Sequence, residues 1–241
     1  MTTQTTGYVA LSHQMALGRQ LEVIANNIAN ANTTAFKSNK PLFEQFLVSS
    51  SSKREISYVH DFGDLTSFQE GAITHTGSPM DVAIKGEGFF VADTPIGRLY
   101  TRNGHFQLDS EGRLVTASGD PILGSNDQPI VIDLALGAIN INQDGTISVG
   151  DQPPEKIQMV TFANTQELER IGSGYFRTDS EEILDEGSQT VQYMLESSNV
   201  EPIIELTAMI ATSRSYQAAQ RIIDTEHELQ RKVAERLPKF G

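Results

Sequence analysis

The sequence predicts an α+β protein whose N- and C-terminal helices pair as a coiled coil around a central, mainly antiparallel β domain. Apolar residues recur at three- or four-residue steps at both chain ends, which is the signature of a helix with one apolar stripe. The middle carries short alternating apolar runs separated by turn residues, and no helical pattern interrupts them. Two long helices with narrow stripes at opposite ends of one chain are most simply stabilised by packing on each other.

In the first helix, from Gly7 to about Asn32, the stripe is Tyr8, Leu11, Met15, Gly18, Leu21, Ile24 and Ile28. Asn30 and Asn32, followed by Thr33-Thr34, mark its end, because Asn accepts a left-handed C-terminal turn. Between Met1 and Phe36 the charged residues are Arg19 and Glu22, with His13 if protonated. The outward positions are amides, namely Gln14, Gln20, Asn26, Asn27 and Asn30. A surface helix ordinarily carries mixed charge, so this face predicts burial among other helices. Amides both donate and accept, and so pair with copies of themselves without repulsion. The expected assembly interface on this helix is therefore Tyr8, Leu11, Met15, Leu21, Ile24 and Ile28, with Asn26, Asn27 and Asn30.

The last helix starts near Ser198 or Asn199, either of which can cap it, with Glu201 and Pro202 in the first turn. Its stripe is Ile203, Leu206, Ile210, Ser213, Tyr216, Ala219 and Ile223, of which Ile203, Leu206, Ile210, Tyr216 and Ile223 complete the expected interface. Mixed charge from Glu226 onward extends the helix, more exposed, to about Leu237, where Pro238 ends it.

In the β middle, Ile139 and Ile141 face Ile147 and Val149 across Asp144-Gly145, the strongest hairpin signal in the chain. Phe106–Leu108 and Arg113–Val115 flank a second turn, and Phe89–Val91 and Leu99–Thr101 flank a third. Residues 157 to 162 form a further strand. The run Ser49 to Ser52 reads as a flexible connection between the first helix and this body.

Composition removes whole classes of function. With 38% hydrophobic and 20% charged residues the 241-residue chain is an ordinary globular one. A net charge of -13 repels polyanions, which excludes a nucleic-acid partner. Cys is absent, so disulfides and thiolate metal sites are excluded, and the five His residues lack the spacing of a zinc site. Gly86-Glu87-Gly88 lacks the third glycine of a phosphate loop, and no nucleophile elbow occurs. Glu181, Glu182, Asp185 and Glu186 lack a calcium-loop pattern and read as a solvated face. The expectation is a protein that is not an enzyme, with no catalytic residue, cofactor or metal. Residues 1 to 6 carry no positive charge and no segment has the apolar length of a membrane helix. An exported chain of this kind would use a route without a cleaved signal and would not insert into membrane.

The stretch from Asn26-Asn27-Ile28-Ala29-Asn30 to Phe36-Lys37, with Tyr8 to Met15 before it, resembles the N-terminal signature of the flagellar basal-body rod protein family. Thr76 to Ile84 with Gly86-Glu87-Gly88-Phe89-Phe90, and then Tyr100-Thr101-Arg102-Asn103-Gly104, resemble the family's central blocks. Leu195-Glu196-Ser197-Ser198-Asn199-Val200 with Leu206, Met209, Arg214 and Tyr216 resembles its C-terminal signature. Ala35 stands where the family commonly has Gly. Within the family the opening and the short length are most similar to the proximal-rod subunit, with the distal-rod subunit as the alternative.

The resemblance implies residues 1–36 and 195–241 as an inner coiled-coil domain, 37–75 as a connecting segment with an extended hairpin, and 76–194 as a β domain. It also implies a periplasmic, torque-transmitting rod of the flagellar basal body, with copies of the chain, other axial proteins and the flagellar type III export apparatus as partners. A non-flagellar, extracytoplasmic β-rich binding or oligomerisation module is the competing class.

Overall fold

The computed structural model describes residues 2–49, 55–172 and 174–236, which form two compact units. The first is built from the chain up to Ala29, Asn39–Ser67 and the chain from Glu201 on; the second from Asn30–Ser38 and Phe68–Val200.

Helix α1 (Thr2–Ala29) and helix α2 (Pro202–Arg236) lie antiparallel in the first unit. The Gln14 amide donates to Gln220, and Asn27 Nδ2 donates to Glu205 Oε1 at 3.1 Å, so the start of each helix meets the end of the other. α1 stops where the Asn-rich sequence places its end. At the start of α2 Pro202 stands in the first turn as expected, but the expected cap does not form. Glu201 supplies the first helical carbonyl, accepting the Glu205 N–H, while the Asn199 side chain accepts the Ser38 N–H instead of capping. The expected end near Leu237 lies outside the described residues.

Strands β1 (Asn39–Ser49) and β2 (Glu55–Thr66) form a long antiparallel hairpin in the same unit, with a bulge at Leu42/Phe43. Arg19 on α1 reaches Asp64 on β2 at 2.8 Å. Ser49 ends β1 and pairs with Glu55, so the serine run lies between the two strands of this hairpin and does not join α1 to the β body as expected; the rest of the run lies outside the described residues.

The second unit is antiparallel throughout, as the turn spacing predicts. A six-stranded sheet runs in the order 169–171, 175–177, 97–101, 89–94, 159–161, 183–184. Smaller pairs join 82–85 to 189–192 and 73–75 to 194–196. The Asp144-Gly145 hairpin forms in the register read from the sequence, Ile147 opposite Ile141 and Val149 opposite Ile139. Phe106–Leu108 pairs with Leu114–Thr116, one residue beyond the expected Arg113–Val115. Strand 89–94 is apolar on both faces because it separates two cores: Phe90 and Ala92 pack with Leu99, Phe106 and Ile122, while Phe89 and Val91 pack with Tyr100, Phe162 and Phe176.

Candidate assembly surface

Each helix carries its apolar residues at a mean step of about 3.3, shorter than the roughly 3.6 residues of a helical turn, so each stripe winds around its helix. On α1 the stripe begins on the outside, with Tyr8 64%, Leu11 46% and Met15 68% exposed. It turns inward through half-buried Leu21 and Ile28 and buried Ile24. On α2 Ile203, Leu206 and Ile210 are exposed, whereas Tyr216 and Ile223 are half-buried and Ala219 is buried. The face of α2 that meets α1 begins instead with Glu205, Met209 and buried Thr212. The expectation of one inward stripe per helix is thus half right. Among the described residues, the antiparallel pairing leaves an exposed apolar start on each helix.

The amide face divides as well. Asn26 is exposed and Asn30 half-buried. Asn27 is 1% exposed and is committed within its own chain: Nδ2 donates to the Asn39 carbonyl and to Glu205, and Oδ1 accepts the Asn39 N–H at 3.0 Å. Its reading as an outward residue is corrected by these three bonds, which close the loop between α1 and β1. Gln14 likewise bonds within the chain. Gly18 faces Tyr216 across the helix pair, where a Cβ would stand 3.8 Å from the ring, an ordinary packing distance.

The second unit holds a cluster that pattern reading misses. Lys37 and Glu196, 159 positions apart, are buried together with Arg102. Lys37 Nζ donates to Glu196 Oε1 at 2.6 Å and to the Gln69 carbonyl at 2.7 Å. Arg102 Nε donates to Glu196 Oε2 at 2.8 Å, and Nη1 reaches the carbonyls of Gly86 and Gly88 at 2.9 and 2.8 Å. The Gly71 N–H also donates to Glu196 Oε1. Gly86-Glu87-Gly88 is therefore a turn presenting carbonyls to a guanidinium.

Burial holds the Lys37 ammonium below its ordinary range, with Arg102 acting in the same sense and Glu196 against it. Burial pushes Glu196 upward, but Arg102 and Lys37 outweigh it and hold the carboxyl below its usual value. Beside this cluster Ala35 adopts φ 56, the left-handed conformation for which Gly is the ordinary residue, and its N–H donates to the Glu196 carbonyl at 2.8 Å. The detectable signal in the sequence is that Lys37, Arg102 and Glu196 are charged residues inside three separate signature blocks.

Those blocks are where known proteins match. Residues 8–37 fit the model of flagella basal body rod proteins, 83–149 the D1 domain of the flagellar hook protein FlgE/F/G group, and 191–237 the C-terminal region of the flagellar basal body rod FlgEFG proteins. Each match contributes one member of the buried cluster. The flagellar basal-body rod protein FlgF of Caulobacter vibrioides is 37% identical, covering 97% of this chain and 98% of its own. FlgF of Mesorhizobium japonicum is 35% identical over 89% and 90%, and FlgG of Bacillus subtilis 32% over 92% and 95%. The chain belongs to the flagellar basal-body rod protein family.

Proposed function

We propose that the chain is a structural subunit of the flagellar rod and that it works by packing rather than by catalysis. The observation that carries this reading is the pair of exposed apolar helix starts, Tyr8–Leu11–Met15 and Ile203–Leu206–Ile210. Isolated, such surfaces are a solubility liability; in an array they are buried against neighbouring subunits. The same reading pairs α1 and α2 as a coiled coil, assigns 1–36 and 195–241 to an inner layer, 37–75 to the connection and 76–194 to an outer β domain. Partners are copies of the chain, other axial proteins and the type III export apparatus, with the periplasmic rod as location. The proximal position is favoured because relatives named FlgF match at 37% and 35%, ahead of a FlgG at 32%.

Expression of the full chain in a strain lacking its own copy tests this. Restored swimming and recovery of the chain in purified basal bodies are expected. Restored swimming without the chain in those basal bodies would overturn a structural role.

A further inference from the structure

The two exposed helix starts carry the same pattern. Tyr8, Leu11 and Met15 on α1, and Ile203, Leu206 and Ile210 on α2, are each spaced by a step of three and then a step of four. That is the spacing of a coiled-coil seam, which sets three side chains on one helix face. Both stretches are also free of repelling charge. Residues 1–18 contain no Asp, Glu, Lys or Arg, and neither do residues 206–213. Glu205, between Ile203 and Leu206, is turned toward α1 and accepts from Asn27. Copies of a chain with net charge -13 repel one another, so uncharged stretches are where they can approach.

We propose that the start of α1 in one copy packs against the start of α2 in a second copy, an inference that rests on the rod reading and names one of its interfaces. The two seams cannot meet within one chain. Asn27 lies beside Glu205, the residue before Leu206, whereas Leu11 is about 24 Å further along α1 at roughly 1.5 Å per residue. A second copy in the same orientation brings its α2 start to Leu11 when it is shifted along the helix pair by about 22 Å. Such a shift engages both seams of every copy and leaves a fresh one at each end, so the contact propagates. A two-fold pairing of α1 with α1 would close instead and leave the α2 seam exposed.

The chain has no Cys, so introduced cysteines report the contact without background. In Leu11→Cys/Leu206→Cys the two thiols are too far apart for a disulfide within one chain, which needs Cα atoms within about 7 Å. Oxidation of basal bodies containing this variant is expected to give a ladder of dimers, trimers and higher multimers on non-reducing gels, and neither single variant should give one. Leu11→Glu should lower incorporation about tenfold, and Leu206→Lys in the same chain should restore it. A dimer from Leu11→Cys alone would mean that α1 meets α1, and overturns the proposal. So does a double variant that enters basal bodies without forming the ladder, which would give the seam to another axial protein. A ladder that appears only after residues 237–241 are removed also overturns it, because the chain's own end would then cover α1. Should the double variant fail to enter, Leu11→Glu decides, and undiminished incorporation sinks the contact. Failure of the rod reading shows differently, as absence of the intact chain from basal bodies.

Discussion

Asn27 and Glu205, 178 positions apart, are joined by a 3.1 Å hydrogen bond that ties the end of α1 to the start of α2. The same amide donates to the Asn39 carbonyl, so one side chain fixes both the helix pair and the exit toward β1.

Asn27→Asp is therefore expected to damage the isolated chain. The change removes both donated bonds and sets two carboxylates against each other in a buried site, at a cost of about 2–3 kcal/mol. Urea unfolding of the monomer measures it. Combining the change with Glu205→Gln should recover part of the loss, since the repulsion belongs to the pair. Wild-type stability in Asn27→Asp would contradict the observed bonds.

The buried cluster holds two cations and one carboxylate, and this imbalance predicts unequal mutants. Glu196→Ala leaves Lys37 and Arg102 facing each other without an anion and should cost about 3–5 kcal/mol or prevent folding. Lys37→Met keeps the Arg102–Glu196 pair intact and removes the charge that burial already disfavours, so the loss should stay below about 1.5 kcal/mol. Denaturation midpoints of the two variants decide; equal losses would refute the asymmetry.

Acid titration offers a second view of Glu196. Its folded-state pKa lies below the ordinary 4.5, so the unfolded chain binds the proton first. The stabilising contribution is complete above about pH 4.5 and is lost as pH falls through the folded value. Unfolding free energy measured from pH 7 to pH 3 should decline along that limb. In Glu196→Gln, if folded, this part of the decline should disappear, with the remaining carboxylates setting what is left.

Gly104 and Gly97 separate space from conformation. A Cβ at Gly104 would stand 1.7 Å from the Val82 carbonyl oxygen, which itself is backbone and cannot swing away. Gly104→Ala should cost about 3–5 kcal/mol. Gly97 has φ +107 but open space around it, so Gly97→Ala should cost only the conformational strain, about 1–2 kcal/mol. Thermal unfolding of both variants checks the ranking.

Much of the fold is legible in the sequence because strand and turn signals are local. Asp144-Gly145 sets its own hairpin, and Phe106–Leu108 finds Leu114–Thr116 a few residues away. Helix existence is equally local, but helix facing is not. The stripes through Tyr8 and Ile203 read as continuous because three- and four-residue steps look alike over one turn, and only their accumulated winding separates an outward start from an inward end. The place of Asn27 is hidden for a related reason: an amide at a helix end is equally suited to solvent, a neighbour or a buried turn, and its partners lie 12 and 178 positions away. Lys37, Arg102 and Glu196 have no spacing rule at all.

The link between Lys37 and Glu196 also orders the life of the chain in time. A polypeptide emerges from the ribosome N-terminus first, so Lys37 waits through 159 further residues before its carboxylate exists. Strands such as 89–94 and 97–101 can meet early, and Lys37 can reach the Gln69 carbonyl, yet the Ala35 N–H and the Phe36 carbonyl find their partners only when 195–199 is made. Long-range closure of this kind is slow compared with local hairpins. The last fastening of the β unit is thus a terminal event, and until it is made Lys37 and Arg102 lack the carboxylate they are buried against.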